Sequence, residues 1–204
     1  MIVAHPDDET LWAGGAMLAR PRWRWTVVTA CRASDPDRAP KFQRALERLG
    51  ASGRMGDLDD GPEQTPLPAG AVEAAISSLV GAGPFDAVLT HGPRGEYTRH
   101  RRHEEVARAV VSLWASGRLA AGELWMFAYD DEAGRRLPEA DRSADVVDEL
   151  PDKAWRTKRS ILVDTYGYGP DSFEVRATPR VEAFRRFELP AAAEAWVREQ
   201  AEPS

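Results

Sequence analysis

The sequence predicts an α/β fold, a mostly parallel sheet with helices on both faces, in a single domain spanning residues 1–204. Short β-branched or apolar runs alternate with stretches of helical periodicity along most of the chain, the pattern of strands buried between two helical layers. No internal repeat, low-complexity linker or second apolar core interrupts that alternation. A length of 204 residues suits one such core.

Met1-Ile2-Val3-Ala4 reads as a short buried strand. The turn His5-Pro6-Asp7-Asp8-Glu9-Thr10 follows it, and then a helix that places Leu11, Gly15 and Leu18 on one face. Gly14-Gly15 weakens that helix, so a close approach to the sheet is expected there. Trp25 to Cys31 reads as a second strand. Phe42, Ala45, Leu46 and Leu49 give a helical stripe that Gly50 caps. Residues 56–62 hold too many carboxylates for a core and read as a loop. Helices are expected from Ala71 to Val80 and from about Arg101 to Ala115, with strands at residues 85–91 and 123–129. The charged stretch 130–150 reads as an exposed flap or added hairpin, and Pro151 opens a helix carrying Lys158. Residues 165–179, rich in Gly and aromatics, show no clear period, and an Ala-rich helix ends the chain.

Bulk properties exclude several classes. A net charge of −6 disfavours nucleic acid or an anionic membrane as partner. No run approaches the ~20 apolar residues of a membrane span, and no basic-then-apolar signal opens the chain. The single Cys31 forbids an internal disulfide and suits a reducing compartment, so a soluble cytoplasmic protein is expected, with homo-oligomerisation left open. A nucleotide-binding module is disfavoured because no G-x-G-x-x-G follows any strand.

The chemistry is carried by the histidines. All four, His5, His91, His100 and His103, fall in or beside two loops that follow strands. In a parallel sheet such loops meet beyond the carboxyl ends of the strands. His103, Val106, Val110 and Leu113 run at spacings of 3, 4 and 3, so His103 heads a buried helical stripe and His100 precedes it by one turn. Two His and one carboxylate leave an open position on a catalytic zinc ion, and His5, Asp8 and His103 form that set. Asp7 diverges from Asp8 and is suited to act as general base, while His100 is placed to stabilise an oxyanion or protonate a leaving amine. Taken without the histidines, Asp7-Asp8 reads as a helix N-cap.

Ala4-His5-Pro6-Asp7-Asp8-Glu9-Thr10 resembles the signature of the PIG-L/LmbE family of zinc-dependent N-deacetylases, and His100-Arg101-Arg102-His103 resembles the family's second, His-x-x-His element. The resemblance runs from the first strand through residue 129. It implies a Rossmann-like fold, zinc on His5, Asp8 and His103, Asp7 as base and His100 at the tetrahedral intermediate. The implied substrate is an N-acetylated small molecule of the N-acetylglucosamine type. A larger acyl amide, or binding of metal without catalysis, are the alternatives. The chain departs from the family where Arg102 replaces an Asp and where Lys41 replaces the Glu of an Arg-x-x-Glu pair that Arg38 would begin.

Further candidates follow from position. Tyr97 lies near the His pair and could donate to an oxyanion, and Arg38 and Arg94 are candidate substrate contacts. Arg94, Arg99, Arg101 and Arg102 could line a rim for an anion. His91 is expected to be structural, Lys158 to pair with a loop carboxylate, and Cys31 to be a small buried apolar residue. Fe(II) or Co(II) would suit the same ligands as zinc.

Overall fold

A computed structural model describes residues 1–97 and 100–201. Seven strands form one sheet in the order β3-β2-β1-β4-β5-β9-β8. The strands are β1 (Ile2–Val3), β2 (Trp25–Cys31), β3 (Ala51–Leu58), β4 (Phe85–Thr90), β5 (Ala121–Phe127), β8 (Val146–Glu149) and β9 (Val181–Phe187). A separate hairpin pairs β6 (Tyr129–Asp130) with β7 (Glu139–Ala140). The first five strands are parallel, while β9 and β8 run antiparallel at one edge. The α/β reading holds, with a mostly parallel sheet.

Helices α1 (Asp8–Ala19), α2 (Arg38–Leu49) and α5 (Asp152–Ser160) cover one face, over a core that includes Trp12, Phe42 and Leu46. Helices α3 (Ala69–Leu79), α4 (Arg101–Ala115) and α7 (Pro190–Ala201) cover the other, over Ile76, Val110 and Leu113. A short α6 (Phe173–Ala177) completes the set. No helix among the described residues is long and apolar enough to cross a membrane.

The expected close approach at Gly15 is present. A Cβ there would stand 2.3 Å from Leu150 Cδ2 and 2.9 Å from Glu182 Oε1. Glu182, fully buried on β9, accepts the Gly15 and Ala16 backbone N–H groups at 2.8 and 2.6 Å. It also accepts Lys158 Nζ at 2.5 Å, so Lys158 pairs with a strand acid and not with a loop carboxylate. Three donors satisfy that carboxylate, which is what a charge in a core requires.

Residues 56–58, read as loop, are the end of β3. Of the charged stretch 130–150, residues 146–149 form the sheet edge as β8. After α5 the chain widens into a π-helical turn, Ile161–Tyr166, and ends it at Gly167 with φ +83°. That turn carries the segment with no readable period back across the carboxyl end of the sheet, beside the residues leaving β1.

Candidate functional site

The sheet order reverses between β1 and β4, and a crevice opens at the carboxyl ends of these two neighbours. His5 to Asp7 form the turn leaving β1, and His91 follows β4 directly. His100 is the N-cap residue of α4, and His103 lies in its first turn. All four histidines therefore converge. The His5 ring centroid lies 4.6 Å from that of His100 and 5.2 Å from that of His103, and His91 stacks on His103 at 3.9 Å.

His5 Nδ1 lies 3.2 Å from His103 Nε2 and 3.3 Å from Asp8 Oδ2, while His103 Nε2 lies 3.5 Å from Asp8 Oδ1. Donors bound to a tetrahedral zinc at its usual bond lengths stand about 3.3 Å apart; the two imidazole nitrogens have that separation, and Asp8 meets them through different oxygens. The opposite side of each imidazole is tied to a carboxylate. His5 Nε2 meets Asp60 Oδ1 at 3.1 Å, and His103 Nδ1 meets Glu96 Oε2 at 2.6 Å. Such carboxylates fix the tautomer that turns a lone pair to the metal. His91 differs, because its Nε2 accepts the Ala4 N–H at 2.9 Å and its Nδ1 donates to Glu96 at 2.9 Å. With both nitrogens engaged, His91 is a prop for the strand ends.

Charge follows the same division. Burial works against ionised Asp8, but His103 and His91 outweigh it and hold the carboxyl well below the usual range. Burial also opposes ionised Glu96, and the same two histidines bring it down to about 2. For His5 burial opposes the proton, and the Asp60 and Asp8 carboxylates prevail, raising it to about 10. The pocket is thus a place that attracts positive charge. His100, depressed to about 3 by burial and by His103 and His5, is a neutral imidazole. Its Nδ1 is buried without a hydrogen-bond partner among the described residues.

Asp7 stands at φ 122°, ψ −29°, a conformation that a non-glycine residue adopts only under constraint. It occupies the N-cap position of α1, yet its side chain makes no capping bond. Instead Oδ2 accepts from Arg38 Nη1 at 3.2 Å and from the Tyr168 hydroxyl. Burial, and then the neighbouring Asp8, push its carboxyl up to about 8. Tyr97, set against Phe173 with centroids 4.6 Å apart, forms a wall 5.6 Å from the His103 ring.

Arg94 Nε donates to the Gln200 carbonyl at 2.9 Å, and Arg94 lines a cavity of about 1040 Å³ together with Glu96, Tyr97, Arg136 and Arg185. Arg99 lies outside the described residues. Cys31 is buried, and burial followed by the Asp60 charge pushes its thiol up to about 12.

No family model and no curated protein sequence matches the chain. Solved structures do match it. The N,N'-diacetylchitobiose deacetylase of Pyrococcus horikoshii aligns with a TM-score of 0.63 at 13% identity, over 92% of this chain and 82% of that one. The A40926 pseudoaglycone deacetylase Dbv21 aligns at 0.58 and 16% identity, over 92% and 96%. The chain has a PIG-L/LmbE-like fold. The 4-carboxy-2-hydroxymuconate hydratase GalB of Pseudomonas putida KT2440 aligns as well, at a TM-score of 0.60 and 16% identity over 91% and 94%. One PIG-L/LmbE-like scaffold thus carries enzymes named for different reactions, and the chemistry has to be read from side chains.

Within this fold the departure at position 102 has a structural reason. Arg102 is buried and turns to the acidic loop, donating to the Asp59 and Thr65 carbonyls at 2.5 and 2.8 Å and to Glu105 at 2.5 Å. It therefore lines no anion rim; it pins the loop that delivers Asp60 to His5. Sequence reasoning missed Glu96, Asp60 and Tyr168. Glu96 was findable, as a carboxylate in a Gly-bearing loop between two histidines. Tyr168 was not, since nothing in its segment signals the π-helical turn that returns it to Asp7.

Proposed function

We propose that the protein is a zinc-dependent hydrolase that removes an N-acetyl group from a small amino-sugar-containing molecule. The observation that carries this reading is the convergence of His5 Nδ1, Asp8 and His103 Nε2 within 3.5 Å of one another, with Asp7 alongside. The activities of two structurally similar proteins, deacetylation of N,N'-diacetylchitobiose and of the A40926 pseudoaglycone, support the substrate class.

His5, Asp8 and His103 would hold the ion, and the same ligand set would also accept Fe(II) or Co(II). When bound, the ion supplies Lewis acidity that acidifies water and polarises the acyl carbonyl. Asp7, with its carboxylate beside the ligand set, takes the proton from the attacking water. His100, neutral and with Nδ1 unpartnered, offers its N–H to the oxygen that gains charge in the tetrahedral intermediate. The proton held on Asp7 then passes to the departing amine, and acetate and a free amine leave. Arg38, beside Asp7, and Tyr97, beside His103, would contact the substrate.

Replacing Asp7 by Asn should lower acetate release from N-acetylglucosamine conjugates by ~100-fold or more while zinc content stays at one ion per chain. An Asp7→Asn protein that turns over like the parent would refute the assignment of the base. Chromatography of the released acid separates deacetylation from cleavage of a larger acyl group.

A further inference from the structure

The π-helical turn and the glycine that ends it place two tyrosines over the two acids that flank Asp8. Tyr166, buried, donates its hydroxyl to Glu9 Oε1 at 2.8 Å. Tyr168, two residues on and half-buried, donates to Asp7 Oδ2. Between them Gly167 sits at φ +83°, a conformation a side chain would resist, and it lets both rings run the same way. The two acids are joined as well, because Glu9 Oε2 accepts the Asp7 backbone N–H at 2.9 Å. Asp7 is thus held by its backbone through Glu9 and Tyr166, and by its side chain through Tyr168 and Arg38.

We infer that Tyr166-Gly167-Tyr168 is a clamp that positions Asp7, with Tyr168 acting on the reaction through that carboxylate. The inference rests on Asp7 being the general base proposed above. Two features of the geometry support it. Asp7 has a strained backbone conformation, φ 122°, that persists only where the surroundings over-determine it. The tyrosine clamp is such a surrounding. Both side-chain donors, Tyr168 and Arg38, reach the same oxygen, Oδ2. Among the described residues no hydrogen bond falls on Oδ1, which keeps its lone pairs for the proton of water. A base fixed by one oxygen and free at the other is oriented without being quenched.

The test uses the full chain loaded with zinc. Tyr168→Phe should bind zinc as the parent does and lower kcat for amide hydrolysis about tenfold to a hundredfold with KM little changed, the effect of removing one hydrogen bond to a charged group. In an Asp7→Asn background it should lower the residual rate no further. Melting gives an arm independent of turnover: Tyr168→Phe should lower Tm more in the parent than in Asp7→Ala, where only the bond its hydroxyl accepts from Arg38 Nη1 at 2.5 Å is lost. A Tyr168→Phe enzyme with normal kcat, beside an inactive Asp7→Asn, overturns the clamp and spares the proposed function. A raised KM with normal kcat makes Tyr168 a substrate contact and overturns the clamp too. An active Asp7→Asn overturns the proposed base itself. Equal Tm losses in both backgrounds overturn the clamp whatever the activity.

Discussion

Two buried imidazoles, those of His91 and His103, direct their Nδ1 atoms to one oxygen of Glu96, which is itself buried. A single carboxylate therefore sets the tautomer of a candidate ligand and of the prop beside it. The Gly92 N–H holds the second oxygen at 2.9 Å, so Glu96 has no freedom to serve one ring and abandon the other. Replacing it by Gln keeps the size and removes the charge. With its oxygen where Oε2 stands the amide can still accept from both imidazoles, but without the charge, and its NH₂ then opposes the Gly92 N–H. Zinc affinity of Glu96→Gln, measured by titration calorimetry, should fall about 10- to 100-fold, the usual effect of losing a carboxylate behind a ligating histidine. Unchanged affinity would mean that His103 is held by packing alone. At this scale the sequence was most legible where chemistry is dense. His5, Asp7, Asp8, His100 and His103 stood out through residue type and spacing. Glu96 and Asp60 act through other side chains, and carboxylates in loops are too common to attract notice singly.

Among elements, legibility tracked burial. The strands Trp25–Cys31 and Phe85–Thr90 and the helix Arg101–Ala115 carry clean apolar patterns because both sides, or one full stripe, face the core. The edge strand β3 has a half-exposed face with two glycines, and β9 alternates apolar residues with Glu182, Arg185 and Arg186, so neither shows a continuous apolar run. Glu182 is the telling case. A carboxylate inside a central stretch of strand argues against a strand unless its partners are known, and here they come from α1 and α5. Gly15 is the other half of that contact. A methyl group there would press on both Leu150 and Glu182, one apolar and one tied by three donors. Gly15→Ala should destabilise the protein by about 1–3 kcal/mol despite its better helix propensity, read as a lower midpoint in urea. Gly70 offers the contrast within a helix, since a Cβ there meets nothing within 4 Å. A Gly15→Ala protein as stable as the parent would show that α1 can slide away from the sheet without cost.

For the whole molecule, the site joins parts of the chain that the fold alone holds only at the sheet edge. His5 belongs to the turn leaving β1 and Asp8 opens α1, whereas His103 belongs to α4, 98 residues after His5 and packed on the opposite face of the sheet. An ion bound to all three would tie the α1 layer to the α4 layer across the crevice between β1 and β4. Nothing in an unfolded chain preserves that arrangement, so binding favours the native state by RT ln(1 + [L]/Kd), about 4 kcal/mol at a thousandfold excess over Kd. Zinc should therefore raise Tm in a concentration-dependent way, and a chelator should reverse the rise. His103→Ala should abolish the rise, whereas Asp7→Asn, which leaves the three donors in place, should keep it. A Tm that ignores zinc in the parent would exclude a site spanning the two layers, and a rise that survives His103→Ala would locate the bound ion elsewhere on the molecule.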